Sequence, residues 1–131
     1  MEFILAGLLA ALAAWFLNRF VLARMQVLGV ILLGPFSEEL LKTLLALYFG
    51  ASIILTHAFF GLIEGFIDIK TANKGLVAAL VSFISHSLLG ILTYGLYLLT
   101  ESVLAAIAGA GLMHALWNAM VVKIITSDRV K

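Results

Sequence analysis

Seven side chains able to exchange protons, ligate a metal or donate hydrogen bonds sit inside stretches that are otherwise apolar: Glu38, Glu39, Lys42, Glu64, His86, His114 and Asn118. The densest group is Glu38-Glu39-Leu40-Leu41-Lys42, within the apolar run from Val27 to Phe49. Near a bilayer centre its three charges cost on the order of 8 to 10 kcal/mol, whereas the flanking Leu, Ile, Val and Phe return roughly 4 to 8. Such a segment needs neighbours that supply hydrogen bonds or water.

The chemistry open to these groups is limited by what is missing. The chain has no cysteine, and no serine stands in a nucleophile motif, so covalent catalysis has little support. General-base hydrolysis fits better, because a carboxylate held in a site of low dielectric can take a proton from water. His114 and Asn118, four residues apart on one helical face, could donate hydrogen bonds to the oxyanion formed when water attacks an amide carbonyl. Two other classes stay open. Glu38, His86 and His114 form a set of one carboxylate and two imidazoles that catalytic zinc uses, so a metal could activate the water instead. The same polar groups could also bind an ion or a partner helix without reaction, in a transporter or scaffold; no inverted repeat supports a transporter.

The elements that must position these residues follow from composition. Of 131 residues 64% are hydrophobic and 11% charged, and the mean hydropathy is +1.20. Soluble domains are about a quarter charged, so this is the composition of a polytopic membrane protein. A net charge of +1 gives no basic footprint for nucleic acid. The start, Met1-Glu2-Phe3, lacks the basic region of a signal peptide and reads as a retained helix. Apolar periodicity predicts an all-α fold of five spans: Phe3 to Phe20, Val27 to Phe49, Ala51 to Ile69, Gly75 to Leu99 and Ser102 to Val122. Arg19 and Arg24, Lys70 and Lys74, and Lys123, Arg129 and Lys131 follow the first, third and fifth spans, while the other loops carry no Lys or Arg. The positive-inside rule then puts the N-terminus outside and the C-terminus in the cytoplasm. Residues 1–131 form one membrane domain, with a peripheral supporting helix in 1–24 and a four-helix core in 27–123.

Depth draws the polar residues together. Glu38 and Glu39 fall at the middle of the second span, His86 and His114 near the middle of the fourth and fifth, and Glu64 slightly to the cytoplasmic side of the third. His57, Gly61, Glu64 and Asp68 share a face, Ser82, Gly90 and Thr93 make the face around His86 small or polar, and Glu38 reaches Lys42 at i+4. His57 lies further outward without a matching partner and reads as structural; Asp68 reads as a solvated interfacial group. Pro35, with Gly34 before it, either breaks the second span so that Ser37 caps a helix opening on the glutamates, or kinks one continuous helix. These residues predict that the second to fifth helices enclose a hydrated polar cavity open toward the cytoplasmic half.

Three motifs then stand in order. Glu38-Glu39-Leu40-Leu41-Lys42 resembles the EExxK motif of the PrsW family of membrane proteases, and Phe60-Gly61-Leu62-Ile63-Glu64 its FxxxE motif. His114-Ala115-Leu116-Trp117-Asn118 resembles the HxxxN/D motif of the wider CAAX-protease and bacteriocin-processing superfamily, and His86 a further histidine found in parts of it. The resemblance spans the second to fifth helices. It implies a glutamate-dependent intramembrane endopeptidase acting on a membrane-anchored protein or peptide, with no obligatory cofactor. In that scheme Glu38 is the base, Glu39 its orienting neighbour, Lys42 their counter-charge, Glu64 a second carboxylate, and His114 with Asn118 the oxyanion donors. The prenyl-protease branch has EExxxR and FxxxH where this chain has Lys42 and Glu64, which points away from prenylated substrates. Scaffold members of the same superfamily keep the non-catalytic alternative in view.

Overall fold

The computed structural model describes residues 1–20 and 22–128; Arg129 and Lys131, counted above among the C-terminal positive charges, lie outside them. The described residues are almost entirely helical, with short connections at 49–52, 72–74 and 101–102 and no strand. Helix α1 is Glu2–Phe20. A 3-10 turn at Leu22–Met25, a short helical turn at Gln26–Leu28 and a π-turn at Gly29–Leu33 lead into α2, Gly34–Tyr48. Then come α3, Ile53–Thr71, α4, Gly75–Thr100, and α5, Val103–Asp128.

The ends have local causes. Ser52 and Ser102 lie just outside α3 and α5, and their hydroxyls accept from the N–H groups of Leu55 and Ala105, both at 3.3 Å, as N-caps do. Glu101, at φ 53°, ends α4 in the left-handed region and returns its N–H to the Tyr97 carbonyl at 2.9 Å. The predicted spans are therefore trimmed where a serine was counted as helix.

Pro35 does not break the second span. Leu33 and Gly34 keep right-handed helical dihedrals, and the Ser37 hydroxyl donates backward to the Gly34 carbonyl at 2.8 Å instead of capping the next turn. The helix absorbs the proline by widening to π geometry just before it, so of the two readings the continuous path is the one adopted.

The interior is small and polar. Ala6, Ala10 and Ala14, at i, i+4 and i+8, bury one face of α1, and Ala10 and Ala14 join Phe60 in the main apolar cluster. The other buried positions include Glu38, Glu39, Lys42, Thr43, Thr56, His57, Ser82, His86, Thr93 and His114. Large apolar side chains point outward, among them Phe16, Phe66, Leu88 and Leu104. A protein that buries its charges and exposes Leu and Phe is built for an apolar surrounding. Three helices are long and apolar enough to cross a membrane: α1, α4 and the Val103–Lys123 part of α5. By itself α2 is too short at 15 residues, and α3 carries Glu64, Asp68 and Lys70. This is an all-α membrane protein.

α3 and α4 approach closely because glycine lines their contact. A Cβ on Gly61 would lie 2.8 Å from the His86 Cβ, and one on Gly90 would lie 2.7 Å from the His57 Cβ. The two histidines are thus pressed into the interior by helices that touch nearly backbone to backbone.

Candidate functional site

Adjacent glutamates on α2 enter different surroundings. Glu39 is fully buried; its Oε1 accepts from Lys42 Nζ at 2.5 Å and lies 3.0 Å from His114 Nδ1, while its Oε2 lies 3.0 Å from His57 Nε2. Three nitrogens on three helices converge on one carboxylate. Glu38, one residue earlier and turned about 100° round the helix, accepts from the Asn18 amide of α1 at 3.1 Å and faces His114 Nε2 at 3.9 Å, too far for a direct hydrogen bond.

Lys42 therefore pairs with Glu39 at i+3, not with Glu38 at i+4. Its ammonium also donates to His86 Nδ1 at 3.0 Å and sits 4.7 Å from the Phe60 ring centroid, a cation–π distance. Phe60, the first residue of the FxxxE stretch, thereby floors the lysine and meets His86 edge to face at 5.0 Å. The His86 ring stands nearly perpendicular to that of His114, with centroids 5.1 Å apart. His86 Nε2 forms a short contact with Glu64 Oε2, which also accepts from Ser82 at 2.9 Å.

All of the expected residues but Asn118 are brought together: a hydrogen-bonded network runs from Glu64 through His86, Lys42 and Glu39 to His114, with Glu38 beside it. Two members went unrecognised in the sequence. His57 is not unpartnered: its Nδ1 donates to the Ile53 carbonyl at 2.9 Å and its Nε2 faces Glu39, to which it can donate only as the imidazolium. Asn18 makes α1 more than a peripheral support, since it supplies the only side-chain donor within hydrogen-bond distance of Glu38 among the described residues. The shared face of His57 with Glu64 was a signal for the first; an amide beside Arg19, after the long apolar run of α1, was the signal for the second.

Two expected donors stand otherwise than anticipated. The Asn118 amide donates to the Val30 backbone carbonyl at 3.1 Å, on the α2 side of the bundle. His114 commits Nδ1–H to Glu39, so in its neutral form Nε2 is an acceptor; it can donate to an oxyanion only as the imidazolium.

A polar cavity of about 850 Å³ opens beside the network, between α3, α4, α5 and the 72–74 turn. Glu64, Asp68, His86 and Asn118 line it, whereas Glu38, Glu39 and His114 do not. The walls expected from four helices come from three, α3, α4 and α5, and no residue of α2 lines the cavity. Asp68 lies on this wall, near the end of α3 that carries Lys70.

Glu38, His86 and His114 each present a ligating atom, all within 4.8 Å of one another. The hydrogen bonds oppose a metal there. His86 Nδ1 accepts from the Lys42 ammonium and Nε2 donates to the Glu64 carboxylate, so the ring offers no lone pair. An ion would have to displace a buried ammonium, and the donor set does not fit one as it stands.

No family model, curated protein or solved structure matches this chain.

Proposed function

We propose that the protein is an intramembrane endopeptidase of the glutamate type, resembling the PrsW branch, in which Glu38 activates water against a peptide bond of a membrane-anchored protein. The reading takes all five helices as spans, with the N-terminus outside and the 72–74 turn and C-terminus in the cytoplasm, so that the polar cavity opens to the cytoplasmic side.

One observation carries it: the buried network saturates Glu39 and leaves Glu38 with one neutral amide donor. A carboxylate held by the Lys42 ammonium and the His114 N–H, with the His57 ring against its other oxygen, is a poor base. Its neighbour keeps Oε2 free, next to an imidazole whose other nitrogen is tied to Glu39. Glu38 takes a proton as the water oxygen bonds to the scissile carbonyl carbon. Collapse of the tetrahedral species breaks the C–N bond, and the proton passes to the departing amine directly or through His114. Glu39 holds the His114 tautomer, as a buried carboxylate does for a catalytic imidazole elsewhere.

The test uses purified protein in proteoliposomes with single-span model peptides, fragments being read by mass spectrometry. Glu38→Gln should lower cleavage by at least about 100-fold while the protein inserts and melts as before; retained cleavage removes Glu38 as base. Loss of activity with a chelator and its return with zinc would favour the metal reading instead. If no peptide is cut and a partner helix co-purifies stably, the fold serves as a scaffold.

A further inference from the structure

The amide of Asn118 reaches a backbone carbonyl that the helix itself has no means to satisfy. In the π-turn at Gly29–Leu33 the Gly34 N–H is directed to the Gly29 carbonyl, five residues back. In that register the Val30 carbonyl looks to residue 35, which is Pro35 and has no N–H. Its α-helical donor, Gly34, is already spent. The Asn118 Nδ2 stands 3.1 Å from that oxygen. An unpaired backbone carbonyl away from bulk water costs roughly 1 to 3 kcal/mol.

We infer that Asn118 is a positioning residue: it clasps the π-turn ahead of Pro35 and thereby sets the orientation in which α2 presents Glu38 and Glu39. His114, one turn earlier on α5, contacts α2 at Glu39, so α5 grips this continuous helical path at two points, the π-turn before the proline and α2 after it. About one turn before His114, Gly111 lets α5 approach the Phe36 ring, which a Cβ would meet at 2.7 Å. The spacing of four between His114 and Asn118 then serves to hold a helix in register as well as to gather polar groups. The clasp stands on hydrogen bonding alone; only its consequence for cleavage rests on the proteolytic reading.

Pro35 supplies the test. Alanine at that position restores an N–H, so that either the Val30 carbonyl is met directly or Gly34 is released to meet it. Asn118→Leu, which keeps the volume and removes the donor, should lower the melting midpoint of the detergent-purified protein by several degrees. Adding Pro35→Ala should recover most of that loss, and Asn118→Gln should recover part of it. Val30 is the only valine followed by isoleucine in the chain, so carbonyl-13C valine with 15N isoleucine isolates its carbonyl in an HNCO spectrum. That resonance should move upfield in Asn118→Leu and return in the double variant. Independent, additive effects of the two substitutions, or a Val30 resonance indifferent to Asn118, would overturn the clasp. Where a cleavable peptide is in hand, kcat should fall about tenfold in Asn118→Leu and return with Pro35→Ala; an oxyanion donor, once deleted, is not restored by a backbone N–H on another helix. A protein that cleaves nothing still answers through its melting and its spectrum.

Discussion

Glu39 and Glu38 share a side chain and a depth, and they differ by the angle between successive residues of a helix. That angle turns Glu39 toward Lys42, His57 and His114 and turns Glu38 toward Asn18. The lysine at 42 was legible as a counter-charge, but i+3 and i+4 are both neighbours on a helix, and only packing chooses between them. The energetic consequence is asymmetric. Removing the charge of Glu39 strands the buried Lys42 ammonium, which for a buried pair costs about 3 to 5 kcal/mol. Glu39→Gln should therefore unfold the protein in detergent well below the wild-type midpoint. Adding Lys42→Met should restore much of the loss, because the orphaned charge goes too. Glu38→Gln keeps the oxygen that accepts from Asn18 and should change stability by less than about 1 kcal/mol. Melting curves for the three variants separate a stabilising glutamate from one held for chemistry; equal losses for both single substitutions would erase the distinction.

The helices position these residues through close approach, and glycine sets the distance. Gly61 and Gly90 stand where α3 and α4 would otherwise collide with the very histidines of the network, at 2.8 Å and 2.7 Å from their Cβ atoms. Alanine at either position should force the helices apart and cost about 1 to 3 kcal/mol, with Gly90→Ala acting on the His57–Glu39 contact and Gly61→Ala on the His86–Glu64 contact. Gly95 has open space where a Cβ would go, so Gly95→Ala is the matched control and should leave the melting midpoint within the scatter of wild type. Helix number and approximate ends were readable from apolar periodicity, since apolar run length registers helices of this size. The π-turn was not. Pro35 announced a disturbance, yet whether a helix breaks, kinks or widens depends on whether something satisfies the carbonyl it leaves behind, and that donor, Asn118, stands 88 residues away. Asn18 and His57 were hidden for a related reason: each acquires its meaning from a partner on another helix, at a depth that counting from span ends places only to within a turn.

At the scale of the molecule the arrangement is inverted relative to a soluble bundle, with ionisable groups inside and Leu, Ile and Phe outside. That inversion was foreseeable, because charges in apolar runs have nowhere else to go. The direction in which the bundle is inserted decides which compartment reaches the cavity lined by Glu64, His86 and Asn118. The 72–74 turn lines that cavity, contains Lys74 and follows Lys70, whereas the turns at 49–52 and 101–102 carry no Lys or Arg. The chain contains no cysteine, so one introduced thiol is a unique reporter. Ala51→Cys and Thr100→Cys should react in intact cells with a maleimide that cannot cross membranes, and Asn73→Cys should react only in inverted vesicles. Both turns on the Ala51 side must label together, since α3 and α4 are antiparallel neighbours joined at 72–74. Labelling of Asn73→Cys from outside would reverse the bundle, open the cavity to the exterior and, under the proposed proteolytic reading, require a substrate segment presented from that side.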